Sequence, residues 1–139
     1  MSHWFYSCSP LWVDIPRKTK EPKRYRLNLN QYRNWKPIVN NIIKQEYCKI
    51  MEPMINLLPE FSSIECMVYV LHPDTKATRD KMNVLTVVDK FFCDGLTHFG
   101  KFSDDNDSII GSFHGYRGDI SRDLPRVDIY IKGNLKNED

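Results

Sequence analysis

The sequence lacks the local patterns that mark several common classes of protein. It has no Cys-x-x-Cys pair, no glycine-rich phosphate loop, no nucleophile elbow and no apolar run of membrane-spanning length. The missing cysteine pairs argue against a zinc site, and the missing loop and elbow argue against nucleotide-binding and serine-nucleophile enzymes. The missing apolar run argues against a membrane protein. We interpret the four widely spaced cysteines as reduced thiols of a cytoplasmic protein.

The size and composition predict one globular domain. The chain has 139 residues, of which 41% are hydrophobic and 12% aromatic, so it can bury a core. We predict a single domain over residues 1–139, with a basic arm at 17–26 and a polar tail at 134–139. The net charge of +2 neither requires nor excludes a polyanionic partner. The distribution of the basic residues therefore has to decide that question.

Hydrophobic periodicity predicts the elements of the first half. Residues 4–15 are aromatic and β-branched and are interrupted by proline, which indicates an edge or irregular strand. A helix is predicted from Asn34, its expected N-cap, with Pro37 in the first turn and an end at residues 51–53. Residues 63–71 are rich in β-branched side chains, which predicts a strand covered on both faces or nearly so.

The second half predicts a helix followed by two strands. Apolar residues recur with a 3.6-residue period from Leu85 to Phe99, with Asn83 as the expected cap and Gly100 as the stop. Residues 108–116 and 126–132 are typical of strands, and we expect the loop between them to make a hairpin. The order of elements predicts an α+β, or mixed α/β, fold in which a small mixed β-sheet packs against two main helices.

A dense basic segment suggests a polyanionic partner. Residues 17–26 read RKTKEPKRYR, contain a proline and show no apolar period, so we expect a loop or arm. Its cations can neutralise phosphates and give salt-dependent binding to DNA that is largely independent of sequence. A solvated, flexible loop is the alternative. The predicted DNA-binding residues of the arm are Arg17, Lys18, Lys20, Lys23, Arg24 and Arg26.

An acidic cluster suggests divalent-metal chemistry. It comprises Asp80, Asp89 and the aspartates of the turn at 104–107. Hard cations such as Mg²⁺ prefer oxygen ligands, and a phosphodiester-cleaving site needs carboxylates that converge from different elements. Asp89 is unusual because it lies at the edge of an apolar helix stripe, where an unpaired carboxylate is costly. The alternatives are a polar turn, a helix cap and ordinary salt bridges.

The segment from 79 to 105 resembles the active-site region of the RusA-type Holliday junction resolvases. The family reads Arg-Asp-x-Asp-Asn-Leu, then a lysine and an Asp-Ala-Leu on a helix, then a glycine and an Asp-Asp pair. The matching pieces here are Arg79-Asp80-Lys81-Met82-Asn83-Val84, Lys90, Asp94-Gly95-Leu96-Thr97, Gly100 and Asp104-Asp105. Weaker similarity over 25–132 includes Gln31-Tyr32-Arg33-Asn34, Ile64-Glu65-Cys66 and His72-Pro73-Asp74.

The resemblance implies a homodimeric, Mg²⁺-dependent endonuclease (Mn²⁺ as an alternative) that cleaves four-way junctions or other branched DNA in recombination and repair. A small stand-alone chain of this kind would be typical of a phage. Carried over by position, the catalytic residues are Asp80, Lys90, Asp104 and Asp105, with Asp80 and Asp105 as metal ligands. Lys76, Arg79 and Lys81 flank this site and are added to the DNA-binding set.

Two departures from the family pattern leave an alternative open. Met82 stands where the family has its second aspartate, and the interval from Asn83 to Lys90 is four residues longer. Four residues are close to one helical turn, so we infer that Asp89 acts as the replacement catalytic and metal-binding carboxylate. In the alternative, the protein keeps the fold and binds branched DNA, but has lost cleavage because Met82 cannot bind Mg²⁺.

Overall fold

The computed structural model describes residues 1–76, 80–102 and 110–136. In chain order the strands and helices are β1 (Ser2–Ser9), β2 (Trp12–Ile15), β3 (Lys23–Arg26), α1 (Leu29–Tyr32), α2 (Pro37–Ile55), β4 (Phe61–His72), α3 (Lys81–His98), β5 (Ile110–Arg117) and β6 (Arg126–Leu135). None of the helices within these residues is long and apolar enough to cross a membrane.

The main sheet is mixed, as the sequence predicted. Its strand order is β1-β6-β4-β5, with β4 and β5 parallel and the other neighbours antiparallel. A parallel pair needs a crossover connection, and α3 lies in the chain between β4 and β5. The coarse prediction of an α+β fold with a small mixed sheet is therefore confirmed.

The predicted hairpin of β5 and β6 is wrong. The two strands lie on opposite sides of β4, and the connection between them crosses the end of that strand. The backbone N–H of Gly118 donates to the carbonyl of Leu71 at 2.8 Å, and that of Ser121 donates to Pro73 at 2.9 Å. The alternation of apolar residues predicts strands, but it does not determine which strand lies beside which.

Helices α2 and α3 cover one face of the main sheet. On this face Tyr69 of β4, Ile129 of β6 and Ser7 of β1 share one row, and all three are buried. Leu85 of α3 is fully buried and lies against Gly115, which is the β5 partner of Tyr69. The hydroxyls of Tyr47 in α2 and Ser9 in β1 are 2.8 Å apart. The hydrophobic core therefore lies between these helices and the sheet.

Both long helices begin away from the predicted residues, and α2 also ends later than predicted. Helix α2 starts with Pro37 after Lys36, not after Asn34, and it continues through Pro53 to Ile55. Its last turn is held because Met51 and Ile55 are fully buried. The N-cap of α3 is Asp80, not Asn83. Gly100, with a φ of +74°, follows the end of α3, as expected for a helix-terminating glycine.

The last four of the ten residues of the predicted basic arm form a strand. β3 pairs with β2 in an antiparallel two-stranded hairpin, in register Trp12 to Arg26 and Asp14 to Arg24. Arg24 forms a two-pronged ion pair with Asp14 at 2.9 and 3.2 Å. The guanidinium groups of Arg24 and Arg26 lie 4.2 and 4.9 Å from the centre of the Trp12 ring. The strand was missed because its alternate residues pair with an aromatic ring and a carboxylate, so it has little apolar alternation.

Candidate active site

A polar cavity of about 430 Å³ lies where β4 ends and α3 begins. The elements that meet there are the end of β4, the first turn of α3, and the connection from β3 to α1. The lining residues are Leu11, Arg26, Leu27, Asn28, Asn30, Leu71, Asp74, Thr75, Asp80, Asn83 and Val84. Two carboxylates, three carboxamides and one guanidinium therefore border the same space.

Asp80 brings the first carboxylate to this cavity. It is the N-cap of α3 with extended backbone, and its Oδ1 accepts a hydrogen bond from the N–H of Met82 at 2.9 Å. An acidic cap is favoured here because the first N–H groups of a helix lack partners within the helix and carry partial positive charge. Asp80 is exposed, so its remaining lone pairs face solvent and the cavity.

Asp74 brings the second carboxylate, which the sequence analysis did not assign to the site. Both of its oxygens accept hydrogen bonds from the guanidinium of Arg26, at 2.8 and 3.3 Å. This interaction is the main cause that lowers the pKa of Asp74 below its ordinary value, so the group is ionised at neutral pH. The sequence feature that could have indicated Asp74 is its position directly after β4 and Pro73, in a loop at the edge of the sheet.

Arg26 was predicted to bind DNA from an exposed arm, but it lines the cavity. Its backbone N–H donates to the side-chain oxygen of Gln31 at 2.9 Å, while Asn28 caps the short helix α1 by accepting from the Gln31 N–H. The Trp12 ring lies beneath its guanidinium. These contacts fix the group that orients Asp74.

Asp89 lies on the other side of α3. The Tyr69 hydroxyl donates to its Oδ1 at 2.5 Å, and the Cys93 thiol is 3.4 Å from the same oxygen. Burial, and then the nearby Cys93 and Asp89, raise the pKa of Tyr69 well above its ordinary value, so this phenol stays protonated and remains a donor.

The helix does not bring Asp80 and Asp89 together. They are nine residues apart, which corresponds to about 13 Å along the axis and to opposite sides of the helix. One metal ion does not bridge that distance, so the geometry gives no support to shared ligation. Met82 is on the same side as Asp89, with its sulfur near Gly115. Lys90 is exposed and lies about 15 Å along the axis from Asp80.

Several predicted residues fall outside the described part of the chain. These are Arg79 and the predicted catalytic pair Asp104 and Asp105. Within residues 1–76, 80–102 and 110–136, no group of three or more His, Cys, Asp or Glu side chains is arranged to hold a metal ion. The oxygen donors of the cavity are nevertheless of the kind that Mg²⁺ takes, since this ion is commonly held by one or two carboxylates together with water and phosphate.

The other described DNA-binding candidates form two groups along the chain. At the turn of the hairpin Arg17, Lys18 and Lys20 are exposed, and Lys23 and Arg24 follow on β3. Lys76, which is exposed, lies between Asp74 and Asp80 in the sequence, and Lys81, which is half-buried, directly follows Asp80. Cationic side chains are thus placed along the chain on both sides of the two carboxylates.

A larger groove, of about 570 Å³, lies between α2 and α3. It is lined mainly by apolar groups such as Phe91, and two of its charged residues, Lys44 and Asp94, face each other at 3.7 Å. Burial raises the pKa of the Cys48 thiol in this groove, which makes it a poor nucleophile. The smaller, polar cavity therefore offers more of the charged and polar groups that the cleavage of a phosphodiester needs.

Comparison with known proteins leaves the family open. No family model and no curated protein matches the chain. The similarity to RusA-type resolvases rests on the residues quoted from the sequence.

Proposed function

We propose that the protein is a Mg²⁺-dependent endonuclease that cleaves four-way junctions or other branched DNA, with the polar cavity as its active site. The observation that carries the proposal is the lining of one cavity by Asp74 and Asp80, at the strand end and helix start where the resolvase-like segment begins. The basic hairpin enters the same cavity through Arg26.

The residues of the cavity have different roles in the proposed hydrolysis. Asp80 supplies carboxylate oxygen for a cation, and Asp74 is kept ionised and oriented by Arg26. The carboxamides of Asn28, Asn30 and Asn83 can donate to phosphate oxygens from the cavity wall. Mg²⁺, when bound, lowers the pKa of bound water and neutralises charge on the phosphate. Asp105 is the further metal ligand that the resemblance predicts.

Binding of DNA is assigned to the hairpin and the two lysines beside the cavity. The exposed cations of the turn can contact phosphates without reading bases, which suits recognition of the shape of a branch. A four-way junction has two equivalent phosphodiesters related by a two-fold axis. A two-fold symmetric dimer would present one cavity to each of them.

A second function, binding of branched DNA without cleavage, is favoured by two observations. Both oxygens of Asp74 are occupied by Arg26, and Met82 lies against Gly115, where it contributes no ligand. This protein would keep the hairpin and the cavity but would hold no catalytic ion. The two functions differ in one result, the Mg²⁺-dependent appearance of nicked or resolved products.

The test is incubation of the full chain with a synthetic mobile four-way junction and with a matched linear duplex, each with Mg²⁺, with Mn²⁺ and with a chelator. We expect metal-dependent, symmetrically placed cuts in the junction and none in the duplex. The Asp105→Asn variant should bind the junction but fail to cut it. Junction binding without products in either metal would establish the second function, and absence of junction binding would contradict both.

A further inference from the structure

One buried carboxylate of the main sheet lies outside the polar cavity and has no part in the proposed hydrolysis. Asp128 of β6 is 5% exposed, and a buried charge is costly unless it is paired and hydrogen-bonded. Its Oδ1 accepts from the Tyr6 hydroxyl at 2.6 Å and from Nε of Arg126 at 2.9 Å. Its Oδ2 accepts from Nη2 of Arg126 at 3.3 Å and lies 3.1 Å from Nε2 of His72. Three strands, β1, β4 and β6, therefore contribute groups that hold this carboxylate.

Two of these groups make Asp128 a fixed point in the sheet. Burial, and then the hydrogen bond to Asp128, raise the pKa of Tyr6 well above its ordinary value, so the phenol remains a donor. Arg126 is itself anchored, because its Nη1 donates to the carbonyl of Leu124 at 3.0 Å. The third group, the His72 ring, belongs to the last residue of β4 and is held against this fixed point.

The His72 ring joins Asp128 to the connection between β5 and β6. Its Nδ1 lies 2.9 Å from the carbonyl oxygen of Asp119, whereas its Nε2 faces Asp128. Gly118 packs directly against the ring, since a Cβ at this position would lie 2.5 Å from Cε1 of His72. The ring is thus held by the sheet at one end and by the connection at the other. We call this pair of contacts, from His72 to Asp128 and to Asp119, the clamp.

The connection in turn holds the backbone that leads to Asp74. The hydrogen bonds from Gly118 to Leu71 and from Ser121 to Pro73 lie on either side of His72 along β4 and its exit. Asp74 follows Pro73 directly, and its carboxylate is held from another direction by Arg26. Asp74 therefore has two supports, the guanidinium on its side chain and the connection beside its backbone. Groups of an active site need placement to within about 0.5 Å, so both supports matter.

We propose that His72 is a positioning residue of the polar cavity: the clamp ties the β5–β6 connection to Asp128 and so fixes the end of β4 from which Asp74 enters the cavity. The effect on cleavage rests on the proposed function. The clamp itself is measurable without DNA. His72 acts through the backbone before Asp74 and needs no contact with a cation or a phosphate.

Hydrogen exchange of backbone amides, followed by NMR on the full chain without DNA or Mg²⁺, tests the clamp. In His72→Ala the N–H groups of Gly118 and Ser121 should exchange about 10-fold faster than in the parent. His72→Asn places an amide N–H near the position of Nδ1 and should keep most of the protection, whereas His72→Gln places it near Nε2 and should not. His114→Ala, an exposed histidine of β5, is the control and should leave both amides unchanged.

Single-turnover cleavage of a four-way junction tests the consequence for the cavity. His72→Ala and His72→Gln should lower the rate by about 10-fold, and His72→Asn should restore most of it. The Kd for the junction should stay within about 2-fold of the parent, because the cations of the hairpin are unchanged. A loss of stability alone predicts rates that follow the folded fraction instead, so urea unfolding of each variant is measured in parallel. If His72→Ala unfolds, the pair His72→Asn and His72→Gln carries the comparison.

Unchanged exchange at Gly118 and Ser121 in folded His72→Ala overturns the clamp, as does protection that His72→Gln keeps and His72→Asn loses. Cleavage at the parental rate by variants that have lost this protection overturns the positioning role. A parent that binds the junction but never cuts it refutes the nuclease, and the exchange pattern then still decides the clamp. Failure of the clamp is therefore distinct from failure of the proposed function.

Discussion

The start and the middle of helix α3 present two aspartates in opposite environments. Asp80 caps the helix and borders a polar cavity with Asp74, whereas Asp89 lies against the buried phenol of Tyr69. Sequence reasoning grouped Asp80 and Asp89 as ligands of one ion. The helix separates them by about 13 Å along its axis.

The difference shows that a carboxylate's chemical role depends on what else reaches the same space. At the helix start, a guanidinium, three carboxamides and a second carboxylate meet around solvent. In the middle, a fully buried hydroxyl and a thiol meet one carboxylate oxygen. The first arrangement is suited to a cation and a phosphate; the second satisfies a polar group beside a core.

The largest expected effect is on the rate of cleavage, and it is predicted for a change at Asp74 in the polar cavity. Asp74→Asn keeps the shape of the side chain but removes the charge that Arg26 orients, so we expect cleavage of a four-way junction to fall by about 10- to 100-fold. Rates of product formation under single-turnover conditions measure it. Asp94→Asn, a half-exposed aspartate in the groove between the helices, is the control and should cut normally.

The next effect is on stability at Tyr69. Among the described residues, Tyr69→Phe leaves the weak Cys93 thiol as the donor to this Asp89 oxygen, so the free energy of unfolding should fall by about 1–3 kcal/mol. Urea unfolding measures the change, with Tyr25→Phe in the hairpin as the control. Cleavage by the folded variant should stay within about 2-fold of the parent, since a stability loss alone leaves the cavity intact. Lost cleavage at unchanged stability would place Asp89 in the reacting site.

A smaller effect concerns the hairpin. Replacing Arg17, Lys18 and Lys20 together with serine should reduce the steepness of log Kd against log salt by up to about 3, because each phosphate contact contributes about 0.9. Fluorescence anisotropy with a labelled junction at several salt concentrations measures the slope. Replacing Lys44 and Lys49 on α2 is the control. An unchanged slope in the triple variant would show that the turn is solvated and does not contact DNA.

The smallest effect is the pH dependence of the ion pair between Asp74 and Arg26. Because Arg26 lowers the pKa of Asp74 in the folded state, the pair stabilises the fold above the unfolded pKa of about 3.9, and this contribution is lost as pH falls through the lower folded value. The side chains are 38% and 19% exposed, so we expect no more than about 1 kcal/mol. The difference in unfolding free energy between the parent and Asp74→Asn should therefore shrink from pH 6 to pH 3.

Regular elements with a strong apolar period were predictable from the sequence. The stripe from Leu85 to Phe99 predicts α3, and the alternation at Val127, Ile129 and Ile131 predicts β6, because each pattern is the direct result of packing one face on the core. The N-cap was predicted at Asn83 because the stripe was taken to begin at Leu85, although Met82 extends it by one turn towards Gly115; a helix cap at Asp80 was only an alternative. The hairpin strand at 23–26 was missed because three of its four side chains are charged.

The partner strands and the partners of the carboxylates were not predictable. The placement of β6 between β1 and β4 depends on long-range pairing, which the spacing of residues within β6 does not encode. Arg26 reaches Asp74 from 48 residues earlier in the chain, which is a contact that local patterns do not encode. A resemblance by position could assign Asp80, but it could not reveal that Asp89 faces Tyr69.

The most direct measurement compares Asp80→Asn with Asp89→Asn in single-turnover cleavage of a synthetic four-way junction with Mg²⁺, with junction binding measured in parallel. We expect Asp80→Asn to bind the junction and lose cleavage, while the folded fraction of Asp89→Asn cuts at close to the parental rate. Normal cleavage by Asp80→Asn together with lost cleavage by a stably folded Asp89→Asn would contradict the assignment of the polar cavity as the active site.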